Sequence, residues 1–463
     1  MRTADTDQLA LVEHLRGARG RAELVARLRQ GITAGVLRDG ETLPATRVLA
    51  ADLGIARGSV VQAYEELLGE GFLATRPGGA TRVAAAVSAR PAAPPAVAPD
   101  TTAREPEPRI DLRPGRPGTV GLDTDPAWRA AWRRGADAVP VDLPDLAGDP
   151  GLRAEIAAHV RRTRGVECAA GDVVVTAGTA EAFLLMLLTL RQGKPRLRVG
   201  LEDPGYRYAR RTVTALGDEP IAIPVRDGSV DPAGLPALDA IIVTPSHQYP
   251  VGGAMPVARR YALLEWAREH DAVVIEDDYD SEFRHGSAPL PAITGLVPRA
   301  PAVLVGTFSK TVSPALRLGY LVIPDPEVAA AVHATRELLS TPVAQQVQDA
   351  ARHFLAGGGY RRHIARMRRV YAHRRSLVAG VRLADGLTLS ALEGGLHAVI
   401  SWPRGHVAGQ ALRDRLGRAG IACGDLDDYR LVMRDGDPEG VVVGYAAVTD
   451  LQLDEALAVI ARS

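Results

Sequence analysis

Gly306-Thr307-Phe308-Ser309-Lys310-Thr311-Val312-Ser313-Pro314-Ala315-Leu316-Arg317-Leu318-Gly319 follows a short apolar run at 303–305 and sets a lysine among hydroxyls, with an arginine seven residues on. A lysine at the end of a strand is ordinarily a surface cation. Here its scarcity gives it weight, because only two of the 55 basic residues are lysines, Lys194 and Lys310, and the other 53 are arginines. A guanidinium forms no Schiff base, so imine chemistry in this chain has two candidate residues. Lys194 lies in the loop Gln192-Gly193-Lys194-Pro195-Arg196 and reads as a solvent-exposed side chain.

Upstream, apolar runs at 173–176, 198–200, 240–243 and 273–275 are short and mostly β-branched, with helical patterns between several of them. This alternation over residues 109–463 predicts an open α/β sheet, in which ligands bind beyond the carboxyl ends of the strands. Three further unusual segments stand at such ends. Val173-Val174-Val175-Thr176 leads through Ala177-Gly178-Thr179-Ala180 into a helix, whose first free N–H groups suit a phosphate. Glu202-Asp203-Pro204-Gly205-Tyr206 places an aromatic ring after a strand. Val274-Ile275-Glu276-Asp277-Asp278-Tyr279-Asp280-Ser281-Glu282 brings five carboxylates within seven residues. Such a run reads as a solvated acidic loop, as a divalent-metal site, or as buried carboxylates that require a cationic partner.

Composition removes other classes. Fifty-five acidic residues balance 55 basic ones, so overall basicity gives no argument for nucleic-acid binding. Charged residues at 24% and hydrophobic residues at 46% are those of a folded protein. Cys168 and Cys423 supply neither a disulfide framework nor a metal-type spacing, which fits a reducing compartment. The first residues carry no targeting pattern, and the longest strongly apolar stretch, 182–190, is too short to span a bilayer. A cytoplasmic location without a membrane partner is expected.

Residues 84–108 hold six prolines and nine alanines and read as an extended linker. At roughly 3.1 Å per residue it reaches about 75 Å. Before it, Leu24, Val25, Leu28 and Ile32 form a helical stripe. A second helix is expected over Thr46–Leu53, ended by Gly54, and a third from Arg57, in which Val60, Tyr64, Leu67 and Leu68 share a face while Arg57, Ser59 and Gln62 look elsewhere. Residues 72–83, with Gly78 and Gly79 central, read as a hairpin. The pattern is that of a helix-turn-helix. Eleven arginines face ten acidic residues over 1–83, so charge is silent here as well.

The stretch LPATRVLAADLGIARGSVVQAYEELLGEGFLATRPGGATRV, residues 43–83, resembles the winged helix-turn-helix of GntR-type bacterial regulators. The resemblance implies that Arg47, Arg57, Ser59 and Gln62 meet double-stranded operator DNA, with the recognition helix in the major groove. Pyridoxal 5′-phosphate requires an amine, a carboxylate for its pyridine nitrogen, an aromatic face and donors for its phosphate, and the four strand-end segments supply one of each. Residues 109–463 are similar to fold-type I aminotransferases with a smaller α+β C-terminal subdomain. With the motifs TPSHQYPVG (244–252), EDDYDSEF (276–283) and GTFSK (306–310), the chain resembles the MocR subfamily of GntR regulators.

That resemblance implies a role for each residue. Lys310 is the aldimine lysine and Asp277 the partner of the pyridine nitrogen. Tyr279 bonds the phenolic oxygen with His247 or Gln248 nearby, and Tyr206 stacks on the ring. Gly178, Thr179, Thr307, Ser309 and Arg317 surround the phosphate. A homodimer is implied too, and a metal is not. Two departures fall on one side of the chemistry. Asp145-Leu146-Ala147-Gly148-Asp149-Pro150 lacks the tyrosine that the family carries in a Tyr-Gly-Asp-Pro motif, and Val442 stands where the family often has a carboxylate-clamping arginine. Arg207, Arg210 and His397 are candidate replacements. Three readings follow: a regulator that senses the cofactor, an amine or an amino acid; an active aminotransferase with a fused head; and a DNA-binding protein whose large domain only dimerises.

Overall fold

The computed structural model describes residues 11–75, 79–84, 107–137, 139, 144–284, 290–339 and 343–461. The chain divides into two compact units, Met1–Pro106 and Glu107–Ser463. Most of the stretch read as a linker, 85–106, lies outside the described residues.

In the first unit, helices α1 (Arg21–Thr33), α2 (Thr46–Leu53) and α3 (Arg57–Gly69) precede a two-stranded antiparallel hairpin, β1 (Leu73–Ala74) and β2 (Arg82–Val83). Gly54 adopts φ 64° and ends α2, with its N–H on the carbonyls of Ala50 and Ala51; a left-handed residue here is the ordinary use of glycine as a helix stop. Leu24, Leu28, Ile32, Leu49, Val60 and Leu67 are fully buried against one another. Tyr64 donates its hydroxyl to Pro44 O at 3.0 Å and fixes α3 against the turn before α2. Arg47, Arg57 and Gln62 are exposed and Ser59 is half-buried.

The second unit opens with β3 (Ile110–Asp111), α4 (Pro126–Asp137) and α5 (Pro150–Arg164). Strands and helices then alternate through β4 (Val173–Thr176), α6 (Thr179–Leu190), β5 (Arg198–Asp203), α7 (Arg207–Ala215), β6 (Glu219–Pro224), β7 (Ala240–Val243), α8 (Val257–Glu269), β8 (Val273–Asp278), β9 (Ala302–Thr307) and β10 (Gly319–Val322). These seven strands form one sheet in the order β4-β10-β9-β8-β7-β5-β6, with β10 antiparallel to both neighbours and β9, β8, β7, β5 and β6 parallel. Apolar side chains cover both faces: Phe183 and Met186 of α6 pack on one, Leu263 and Leu264 of α8 on the other. Gly306 in β9 is required by packing, since a Cβ there would lie 2.0 Å from the Tyr320 ring.

Helices α9 (Pro326–Leu339), α10 (Gln345–Ala356) and α11 (Gly359–Ala379) lead to a smaller α+β part. It contains β11 (Thr388–Ser390), β12 (His397–Trp402), α12 (Val407–Arg418), β13 (Ile421–Ala422), β14 (Gly424–Asp425), β15 (Glu439–Gly444) and α13 (Asp450–Ala461). Strands β11, β12, β15 and β14 make an antiparallel sheet, while β13 pairs with β3.

Candidate functional site

A cavity of about 480 Å³ opens at the carboxyl ends of the large sheet's strands, where the topology leads a ligand to bind. Lys310, Asp277, Tyr206, Tyr279, Thr179, Thr307, Ser309 and Arg317 line it, so eight of the eleven residues expected around a cofactor share one wall.

The strand pleat decides which acidic side chain reaches that wall. Alternate residues of β8 point to opposite faces. Asp277 lines the cavity, while Glu276 and Asp278 lie within 3.1 and 2.8 Å of the buried Arg164 guanidinium from α5. Beyond the strand, Asp280 Oδ2 is 2.9 Å from His247 Nδ1 and Glu282 Oε1 is 3.3 Å from His159 Nε2. The acidic run is therefore a set of buried carboxylates, four of them beside basic partners. Among the described residues, no three His, Cys, Asp or Glu side chains gather as a metal ion would require.

Asp277 is the exception to this pairing. Its Oδ1 is buried without a hydrogen-bond partner among the described residues. Burial, reinforced by Asp278, pushes its carboxyl up to about 8 against the pull of Lys310. Burial likewise lowers the pKa of the Lys310 ammonium, with Asp277 and Asp280 opposing. Lys310 Nζ donates to Gly115 O at 2.6 Å, in the strap that follows β3. The site thus holds a buried carboxyl with one oxygen lacking a hydrogen-bond partner among the described residues, and a lysine whose proton is loosened.

The opposite end is built to receive an anion. Gly178, at φ 84°, precedes α6, whose first N–H groups have no acceptor within the helix. Arg317 takes the left-handed conformation, φ 46°, uncommon outside glycine, and its Nη1 lies 3.9 Å from where a Gly178 Cβ would be. Ser309 N donates to Thr307 Oγ1 at 3.0 Å, folding the turn after β9 toward the same place.

Three expected residues stand behind the wall. Gly178 supports the helix start. Tyr279 Oη and Asp280 Oδ2 lie 2.8 and 2.9 Å from the same His247 nitrogen, Nδ1, which positions a tyrosine that does line the cavity. Gln248 donates Nε2 to Glu202 Oε2, Pro204 O and Tyr249 O and braces two loops. Tyr249 and Thr244 of the same TPSHQYPVG motif line the cavity themselves. Tyr206 meets Tyr249 edge-on at 6.0 Å, and Tyr429 meets it at 5.4 Å. Arg113, Gly115, Cys423, Asp428 and Tyr429 also line the cavity; they come from far along the chain, and no local motif marks them.

Val442 is fully buried among Tyr249, Tyr279 and Tyr429, so apolar and aromatic groups fill this quarter. Of the three candidate clamps, His397 Nε2 is bound to Pro250 O at 2.9 Å, and Arg210 is bound to the backbone at Arg430 and Asp428. Only Arg207 lines the cavity, 3.7 Å from Asp428. Lys194 is half-exposed and paired with Asp239 at 2.6 Å, far from this chemistry in role.

The fold and the two units define a helix-turn-helix head joined to an aminotransferase-like domain, and comparison with known proteins agrees. Residues 115–460 match the family of aminotransferases of class I and II, and residues 21–83 match the bacterial regulatory proteins of the gntR family. The chain is 41% identical over 382 residues to the HTH-type pyridoxine biosynthesis transcriptional regulator PdxR of Corynebacterium glutamicum, covering 82% of each. It is 34% identical over 463 residues to the probable rhizopine catabolism regulatory protein MocR of Rhizobium meliloti, covering 94% of this chain and 92% of that one. Its fold is similar to that of LysN, an α-aminoadipate aminotransferase of Thermus thermophilus crystallised with N-(5′-phosphopyridoxyl)-L-leucine, at a TM-score of 0.67 and 22% identity over 76% of this chain and 91% of that one. The chain belongs to the MocR subfamily of GntR-type transcriptional regulators, and its function is DNA-binding transcription regulation. Among the described residues, no helix is long and apolar enough to cross a membrane.

Proposed function

We propose that the large unit holds pyridoxal 5′-phosphate on Lys310 and that occupancy of this cavity, by the cofactor itself or by an amine or amino acid reacting there, changes operator binding. The observation that carries this reading is the unpaired, buried Asp277 Oδ1 on the same wall as Lys310. A protonated pyridine nitrogen is the cation such a carboxylate lacks. Bound there, the group would supply an aldehyde that takes up amines and a ring that withdraws electrons from the carbon it holds.

The chain's own residues have distinct tasks. Lys310 offers an amine whose pKa is lowered by burial, and so gives up its proton more readily than a surface lysine. Asp277 holds the ring nitrogen's proton. Tyr279, fixed by His247, would serve the phenolic oxygen; Tyr206 would offer an aromatic face to the ring; the α6 start, Thr307, Ser309 and Arg317 would hold the phosphate. A group that engaged Lys310 Nζ in the cavity would take away the donor that now holds Gly115 O, and this is how the strap after β3 would register occupancy. We place this action in the cytoplasm and in a homodimer on double-stranded operator DNA, where Arg47, Arg57, Ser59 and Gln62 meet the duplex.

The apolar surroundings of Val442 favour a sensor over an aminotransferase, because a bidentate arginine would contribute roughly 1.5 to 3 kcal/mol to holding a substrate carboxylate. A spectral titration of the cofactor-loaded protein against amines and amino acids tests the reading. The expected result is a cofactor absorption band that Lys310→Ala abolishes and that shifts without sustained release of keto acid. Steady keto-acid release over many turnovers establishes the enzyme reading instead.

A further inference from the structure

Helix α11 is the most basic element outside the cavity. Its sequence, GYRRHIARMRRVYAHRRSLVA, holds seven arginines and no Asp or Glu, in a chain of zero net charge. The inner arginines are used internally: Arg366 pairs with Asp125 at 3.1 Å, Arg374 with Asp450 at 2.8 Å, and Arg375 donates to Leu392 O. The other four, Arg361, Arg362, Arg368 and Arg369, are exposed. Among the described residues, Arg362 donates to Gly357 O and Arg368 to Glu282 O, and no carboxylate forms an ion pair with any of the four.

Their spacing is regular. Arg361 and Arg368, and likewise Arg362 and Arg369, are seven residues apart, so two pairs of guanidiniums sit on one side of the helix about 10 Å from each other. Like charges crowded on one helix add no stability to it. An extended polyanion is the partner that such a row complements, and the chain already acts on one.

We propose that this face of α11 binds the phosphate backbone of double-stranded DNA flanking the site that the helix-turn-helix head reads. The contact is independent of sequence and adds to affinity through release of counterions.

The test measures operator affinity of the full-length, cofactor-loaded protein against salt on two fragments, one of about 20 base pairs holding only the head's site and one of about 60 with natural flanks. The variant carries Arg361→Ala, Arg362→Ala, Arg368→Ala and Arg369→Ala together. On the long fragment its slope of log affinity against log salt is expected to fall by about 3 to 4, at ~0.9 per phosphate, with roughly a hundredfold loss of affinity at low salt. On the short fragment it should match the parent. Arg57→Ala is expected to weaken both fragments alike, which separates head from flank. The four Arg→Lys replacements should restore most of the slope, since lysine also neutralises phosphate. Equal slopes for variant and parent on the long fragment overturn the proposal, and so does an equal loss on both fragments. The cofactor band and melting temperature report folding; if the fourfold variant does not fold, the pairs Arg361→Ala/Arg362→Ala and Arg368→Ala/Arg369→Ala are each expected to remove about 2 from the slope.

Discussion

Asp277 and Asp278 are adjacent and chemically alike, yet one faces the cavity without a hydrogen-bond partner on Oδ1 and the other lies against Arg164. The pleat of β8 alone makes the difference. An unfolded chain releases the Asp277 proton near the ordinary value of 3.8, whereas the folded chain keeps it to about 8. The folded state therefore binds more protons between those limits, and the stability contributed by the neutral carboxyl declines as pH rises from about 4 to about 8. Glu202 and Asp278, each raised to about 7, act in the same direction. For protein stripped of cofactor, melting temperature should fall across this window, and Asp277→Asn should flatten the fall; equal slopes in variant and parent would contradict the assignment. At this scale the sequence was informative where a residue type is chemically irreplaceable, as with Lys310, Asp277 and Arg317. It pointed to His247 or Gln248 where Tyr249 lines the wall, because a one-residue step in a loop changes which side chain reaches the cavity, and composition does not carry that direction.

Among the elements, the strap between β3 and α4 has the clearest mechanical role. Leu112 N donates to Ala422 O at 2.8 Å and its carbonyl accepts from Gly444 N at 2.6 Å, while Gly118 N donates to the Tyr371 hydroxyl at 2.9 Å. Between these anchors Gly115 O accepts from Lys310. If Lys310 reports occupancy through this carbonyl, amide exchange over 112–118 should quicken when the cofactor binds, and Lys310→Ala should exchange quickly with or without it. Unchanged exchange on cofactor binding would remove the strap from the pathway. The elements themselves were legible where hydrophobic runs are unbroken: strands over Val173–Thr176 and Ala240–Val243, and the helix Thr46–Leu53, fall where periodicity put them. Two strands of the large sheet were not. Glu219–Pro224 contains two prolines and survives at the sheet edge, where a missing N–H is tolerated, and Gly319–Val322 is four residues long and follows directly on the Arg317 turn. The strands at 198–200 and 273–275 continue three residues further, into Asp203 beside Arg434 and Asp278 beside Arg164, because their acidic ends are buried, which a hydropathy pattern cannot register.

For the whole molecule, the division of labour follows from chemistry placed in two units: a head that reads DNA and a cavity that suits a reactive cofactor. Family membership makes the protein a transcriptional regulator. Such a regulator requires that the occupied and empty cavities favour different arrangements of the heads. A homodimer, with two heads on two half-sites, is the assembly in which that coupling has most effect; sedimentation at micromolar concentration should give twice the 49.0 kDa chain mass, and a monomer would contradict it. The most direct measurement is operator affinity of the parent and of Lys310→Ala, each with and without pyridoxal 5′-phosphate. A coupling of about 1.4 kcal/mol, within the usual range for linked sites, corresponds to a tenfold change in the parent and none in the variant. Equal responses in the two proteins, or no response in the parent to the cofactor or to any amine added with it, would contradict the account.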